Sequence, residues 1–113
     1  MKYIIYCRKA SEHKGKEIGS LWDQERRLHE YARQRHLDVV AMFLENESGT
    51  AIERPLYGHM MSMIENGIAD GILVTDMNRI SRNYLVVGKI MSLIESGIIK
   101  EIRTPRYVIN GLV

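Results

Sequence analysis

A chain of 113 residues has room for one domain and one core. Its 45% hydrophobic and 27% charged content, with two Pro, nine Gly and one Cys, excludes a disordered or collagen-like chain, a disulfide framework and a cysteine-rich metal site. Sixteen Lys and Arg against fourteen Asp and Glu leave a formal charge of +2, too weak to identify a nucleic-acid ligand by itself.

The chain opens on a short apolar run, Tyr3-Ile4-Ile5-Tyr6, which predicts a buried strand over residues 2–7. No signal-peptide hydrophobic segment precedes it, and no apolar run approaches the roughly 18 residues of a membrane span. A cytoplasmic protein without a membrane partner is expected. Residues 9–19 are polar and predict a loop. Ser20 then starts a helix over 20–36, with Asp23 three residues on in a capping-box-like arrangement. Leu21, Gln24, Leu28, Tyr31 and Ala32 fall on one side of it, while Arg26, Arg27, Arg33 and Arg35 mostly face elsewhere. Scattered basic residues of this kind are read as a solvated surface.

Val39, Val40, Met42 and Phe43 predict a second strand over 38–44, followed by a polar loop over 45–54. Pro55 suits the first turn of a helix over 55–66, with Gly67 as its stop. Its methionines are read as core filler rather than a cofactor groove. Gly71-Ile72-Leu73-Val74-Thr75 predicts a third strand covered on both faces, and residues 76–83 a polar connection. A third helix over 84–96 packs through Val86, Val87, Ile90, Leu93 and Ile94 and stops at Gly97. Residues 98–104 predict a fourth strand, moved toward an edge by Lys100 and Glu101. After Pro105, Tyr107-Val108-Ile109 has room for a short strand. The alternation predicts a three-layer α/β domain over 1–113, with a mainly parallel central sheet of four or five strands.

In such a sheet, ligands meet the loops at the carboxyl ends of the strands. Arg8 follows the first strand, Ser48 and Arg54 the second, and Asn78, Arg79 and Arg82 the third. Four arginines on converging loops suit an oxyanion, because guanidinium stays charged and presents a planar fork of donors. No Gly-x-Gly-x-x-Gly or Gly-x-x-x-x-Gly-Lys run is present, which sets aside dinucleotide and P-loop readings. His13, His29, His36 and His59 are isolated and read as surface residues rather than metal ligands. No cofactor is expected.

Four motifs in order carry a resemblance. Tyr6-Cys7-Arg8-Lys9-Ala10-Ser11 is similar to a Tyr-x-Arg-x-Ser opening, and Ser20-Leu21-Trp22-Asp23-Gln24 to a Ser-Leu-x-x-Gln signature. Ser48-Gly49 and Arg54-Pro55 match a Ser-Gly loop running into Arg-Pro. Asn78-Arg79-Ile80-Ser81-Arg82-Asn83 matches an Asp-Arg-Leu-Ser-Arg-Asn segment. Over about residues 3–107 the chain resembles the amino-terminal catalytic domain of the serine recombinases, in the style of the large serine integrases. The resemblance implies DNA recombination: a Ser hydroxyl attacks a DNA phosphodiester, forms a 5′-phosphoserine and releases a 3′-hydroxyl, and rejoining reverses the step. It implies that Arg8, Arg54, Arg79 and Arg82 bind phosphate and that Gln24 orients groups near it. The implied partners are the DNA phosphate backbone and other recombinase subunits.

Two residues depart from the pattern. Ala10 occupies the nucleophile position and has no atom that can form a phosphoester, while Ser11 is one residue out of register. Asn78 stands where the family has Asp, keeping its shape and losing its charge; the bland alternative is a loop-capping residue. The family also continues into a long dimerisation helix and a DNA-binding domain, which are not expected within these residues. The expectation is therefore a recombinase fold inactive through residue 10. The alternatives are a non-enzymatic module that binds or modulates an intact recombinase, or a small phosphate-binding α/β protein.

Overall fold

The computed structural model describes residues 1–10, 20–47 and 54–111. Ser11, His13, Ser48 and Gly49, and residues 11–19 of the loop expected over 9–19, lie outside the described residues. The elements run β1 (Lys2–Ala10), α1 (Leu21–Gln34), β2 (Asp38–Glu47), α2 (Pro55–Glu65), β3 (Gly71–Leu73), a 3₁₀ turn (Met77–Arg79), α3 (Tyr84–Glu95), β4 (Glu101–Arg103) and β5 (Val108–Asn110). They build a five-stranded sheet in the order β2-β1-β3-β4-β5, parallel throughout except for the β4–β5 pair. The mainly parallel α/β sheet expected from the alternation of strand and helix patterns is present.

Side-chain alternation along β1 divides the core into two layers. Tyr3, Ile5 and Cys7 meet Leu28, Tyr31 and Ala32 of α1. Ile4 and Tyr6 face the opposite way, into a cluster with Met60 and Ile64 of α2 and Ile90 and Ile94 of α3. The methionines Met60 and Met61 are core filler, as expected. Local chemistry sets the helix ends. Ser20 Oγ accepts a bond from the Asp23 amide at 3.0 Å, and Pro55 occupies the first turn of α2. Gly67 (φ 76°) and Gly97 (φ 83°) take the left-handed conformation that stops α2 and α3. The helix arginines behave as a solvated face: Arg26 and Arg27 approach Asp23 at 3.1 and 4.0 Å, and Arg33 pairs with Glu30.

Three expectations need correction. β1 and β2 continue past residues 7 and 44, because Arg8, Lys9 and Ala10 pair with Glu45, Asn46 and Glu47. Backbone ladder bonds extend the strands through residues whose polarity suggested loops, and Arg8 and Glu45 are therefore strand residues. Second, β4 is not an edge, since β5 covers it. Glu101 is buried and accepts bonds from the Tyr3 hydroxyl and from Arg103 Nε at 2.5 Å, so its charge marks an internal ion pair. Third, the polar connection after β3 contains a fully buried core residue, Ile80.

β1 and β2 also carry a bulge. Tyr3 pairs with Val39 and Ile4 with Ala41, so Val40 is skipped. One extra residue reverses the facing of everything after it. Ala41 and Phe43 turn toward α2, while Val40, Met42 and Leu44 are left exposed. Glu45 follows in the same inward phase.

Gly71 is where the sheet passes closest to an aromatic ring. A Cβ there would lie 2.6 Å from Tyr3 Cδ2 and 3.3 Å from the Glu101 carbonyl oxygen. The ring cannot swing away freely, because its hydroxyl is bound to Glu101. Gly71→Ala is expected to destabilise the domain by about 1–3 kcal/mol, since overpacking outweighs the roughly 0.4–1 kcal/mol gained by stiffening the unfolded chain. A lower urea midpoint at unchanged slope checks this; a higher midpoint contradicts it.

Candidate functional site at the carboxyl ends of the strands

The strand order reverses at β1: the chain steps to β2 on one side, then returns to β3 on the other. The carboxyl ends of β1 and β3 therefore meet at the switch point, the crevice position where sheets of this order take ligands. Arg8 enters it from β1. Arg79 enters from the 3₁₀ turn after β3, and Arg54 from the residue before α2.

Backbone carbonyls tie these three together. Arg8 Nε donates to the Arg79 carbonyl at 2.8 Å, and Arg8 Nη2 to the Asn78 carbonyl at 2.5 Å. Arg79 Nη1 returns a bond to the Arg8 carbonyl at 3.2 Å. Arg54 Nη2 donates to the Arg79 carbonyl at 3.3 Å. These carbonyl contacts orient the guanidiniums. The Nε groups of Arg54 and Arg79 are buried and have no hydrogen-bond acceptor among the described residues. Buried donors of this kind are rare and call for an explanation, an anion among them.

Gln24 sits fully buried on the inner face of α1. Its Nε2 donates to the Arg8 carbonyl at 3.0 Å and its Oε1 accepts from the Arg8 amide at 3.2 Å. The side-chain amide thus pairs with β1 as a neighbouring strand would, and docks α1 against the arginine-bearing end of β1. Arg82 is exposed in the turn before α3, and none of the described contacts ties it to the other three. Ala10 closes β1 opposite Glu47. Asn78 is exposed and does not cap the turn. That work belongs to Asp76, whose Oδ1 accepts from the Asn78 amide at 2.9 Å and whose Oδ2 lies 3.6 Å from Arg79 Nε. Asp76 thus sets a carboxylate beside Arg79.

Behind Arg54 stands an aromatic and acidic wall that sequence reasoning missed. Tyr6 donates to Glu45 at 2.6 Å and accepts from Arg54 Nη2 at 2.8 Å. The Arg54 guanidinium lies 4.4 Å from the centroid of the Tyr57 ring. Burial, then the hydrogen bond to Glu45, pushes the Tyr6 phenol well above its ordinary range, and burial raises Tyr57 and lifts the Cys7 thiol to about 12. Tyr6 and Cys7 keep their protons at neutral pH.

Residues 3–100 match the family described as Resolvase, N terminal domain. The chain is similar in structure to the N-terminal catalytic domain of TP901-1 integrase, with a TM-score of 0.73 and 26% identity over 94% of this chain and 79% of that one. It is similar to the C-terminal catalytic domain of ISC1926 TnpA, an IS607-like serine recombinase, with a TM-score of 0.73 and 24% identity over 92% and 67% of the two chains. A resolvase family site-specific recombinase from Streptococcus pneumoniae shares the fold at a TM-score of 0.71 and 19% identity, over 94% and 72% of the two chains.

Proposed function

The chain belongs to the resolvase family of serine recombinases, whose chemistry is DNA strand cleavage and rejoining, and from that premise we propose that it holds a DNA-backbone phosphate without cleaving through residue 10. The observation that carries this reading is the joining of Arg8, Arg54 and Arg79 at the β1/β3 crevice, with two of their buried Nε donors lacking acceptors among the described residues. Charge developing on a phosphoryl group is stabilised by donors already in place, and three tethered guanidiniums meet that requirement. Gln24 holds the end of β1 so that Arg8 keeps its direction. Arg82, exposed in the turn before α3, adds a solvent-screened positive charge near the same rim.

Chemistry at residue 10 is limited by its atoms. Cleavage of the family type needs a hydroxyl oxygen to form the new ester as the 3′ oxygen leaves, and Ala10 ends in a methyl group. Ala10 together with Asn78 favours a second reading, in which the chain pairs with an intact recombinase and lowers its exchange. Titrating the chain into a working recombinase reaction separates the two: inhibition beyond simple competition for DNA supports pairing.

Suicide-substrate DNA, with a recombinase DNA-binding domain joined to the chain, tests the cleavage step. Mass spectrometry is expected to find no adduct at residue 10 of the unsubstituted chain and a phosphoserine there in Ala10→Ser. A phosphoester on Ser11 would put the nucleophile one residue later and overturn the assignment.

A further inference from the structure

We infer that Glu45 and Tyr6 are positioning residues that fix the guanidinium of Arg54 in the crevice, an assignment whose functional meaning rests on the phosphate reading above. Glu45 is buried at the inward phase of β2 that the Val40 bulge creates. Its Oε1 accepts from the Tyr6 hydroxyl at 2.6 Å and from the Tyr57 amide at 3.0 Å, and its Oε2 from the Leu56 amide at 3.0 Å. One carboxylate thus holds the start of α2, where Arg54 is the capping residue, and a phenol of β1 together.

The direction of these bonds matters. The Glu45 carboxylate offers only lone pairs to the Tyr6 hydroxyl, so the phenolic hydrogen is committed to it. Tyr6 can then present only lone pairs to Arg54, and Arg54 Nη2 donates to it at 2.8 Å. The Tyr57 ring, set edge-on to Tyr6 with centroids 6.0 Å apart, supports the guanidinium from its face. A carboxylate in direct bidentate contact would satisfy Arg54 and compete with an incoming phosphate. With a neutral phenol interposed, the guanidinium is aimed but keeps its charge.

Two roles for the pair make opposite forecasts. If Glu45 and Tyr6 only offset positive charge, weakening them should tighten anion binding. If they position Arg54, losing the phenolic oxygen should loosen it. Tyr6→Phe deletes one oxygen and keeps the ring, so the packing against α2 and α3 survives.

The experiment is an NMR titration with inorganic phosphate at constant ionic strength on the unsubstituted chain, Tyr6→Phe, Arg54→Ala and the double variant. Tyr6→Phe is expected to weaken phosphate about 3–10-fold, the range of one lost hydrogen bond. In the Arg54→Ala background it is expected to change nothing, because the group it positions is gone. The second readout needs no phosphate: the Arg54 Nε–H resonance of the unliganded chain should shift and exchange faster with water in Tyr6→Phe. Equal weakening in both backgrounds, tighter binding, or an unmoved Arg54 resonance each overturns the positioning role. If Arg54 responds to Tyr6→Phe while no variant binds phosphate, the positioning stands and the phosphate reading fails.

Discussion

Raising the pH from 9 to 11 is expected to remove several kcal/mol of this domain's stability. The cause lies on β1, directly beneath the arginine site. Cys7 is fully buried, and its thiol moves from an ordinary 9.0 to about 12, chiefly because burial disfavours the thiolate, with Glu25 adding repulsion. Tyr6 is raised for the same first reason, and Tyr3 and Tyr57 shift in the same direction. All are acids whose folded pKa exceeds the unfolded one. Below about pH 9 both states keep these protons and the contribution is whole. Above it the unfolded chain loses protons that the folded chain retains, so stability falls as pH rises. Each group that differs between the two states steepens the fall by about 1.4 kcal/mol per pH unit. Urea unfolding at pH 8, 9, 10 and 11 measures the slope. Cys7→Ala should flatten the stretch from pH 9 to 10, whereas Tyr6→Phe should act mainly above 10. Equal slopes in all three proteins would mean that water reaches these groups in the folded state.

Element types were legible because each left a local pattern. Ser20, Pro55, Gly67 and Gly97 marked helix ends by their own backbone chemistry, and the apolar run at Ile72 and Leu73 marked a strand covered on both faces. Strand lengths were not legible. Arg8 to Ala10 and Glu45 to Glu47 are held in strands by their partners' backbones, and a partner cannot be read from one segment. The edge assignment of β4 failed for a related reason. Glu101 looked like a solvent-facing charge until Tyr3, ninety-eight residues away in the chain, supplied its partner.

The site divides in the same way. The motifs put Arg8, Gln24, Arg54 and Arg79 at the ends of neighbouring strands and helices, and the sheet order explains why they meet. The acids that support them were hidden. Glu45 stands in alternation with Ala41 and Phe43, a signal open to notice, but the skipped Val40 reverses that phase relative to β1, and a bulge leaves no mark in composition. Asp76 lies two residues before the motif, which begins at Asn78, and so carries no motif signal of its own. Its distance to Arg79 also changes the electrostatic expectation. A site lacking the acid at 78 should be more positive when empty, yet Asp76 recovers part of that charge from 3.6 Å.

Inorganic phosphate is expected to stabilise the fold, and Arg79→Ala is expected to remove most of that effect while Arg82→Ala removes little. Guanidiniums held together repel one another, and an anion among them relieves that repulsion in the folded state only. At ten times its dissociation constant, a ligand that binds only the folded chain adds about 1.4 kcal/mol, or roughly 5 °C in melting temperature for a domain of this size. Arg79 is half-buried, bonded to the Arg8 carbonyl, and its own carbonyl receives Arg8 and Arg54. Truncating it removes a charge at the centre of the cluster but leaves the carbonyls that orient its neighbours. Arg82 is exposed, so its charge acts through water and is screened. Melting curves against phosphate, with sulfate at matched ionic strength beside them, separate the two residues. Equal losses in Arg79→Ala and Arg82→Ala would mean that the anion sits over the exposed turn before α3 rather than in the crevice. An undiminished rise in Arg79→Ala would place phosphate binding elsewhere on the domain and remove the basis for reading the crevice as its DNA-contacting site.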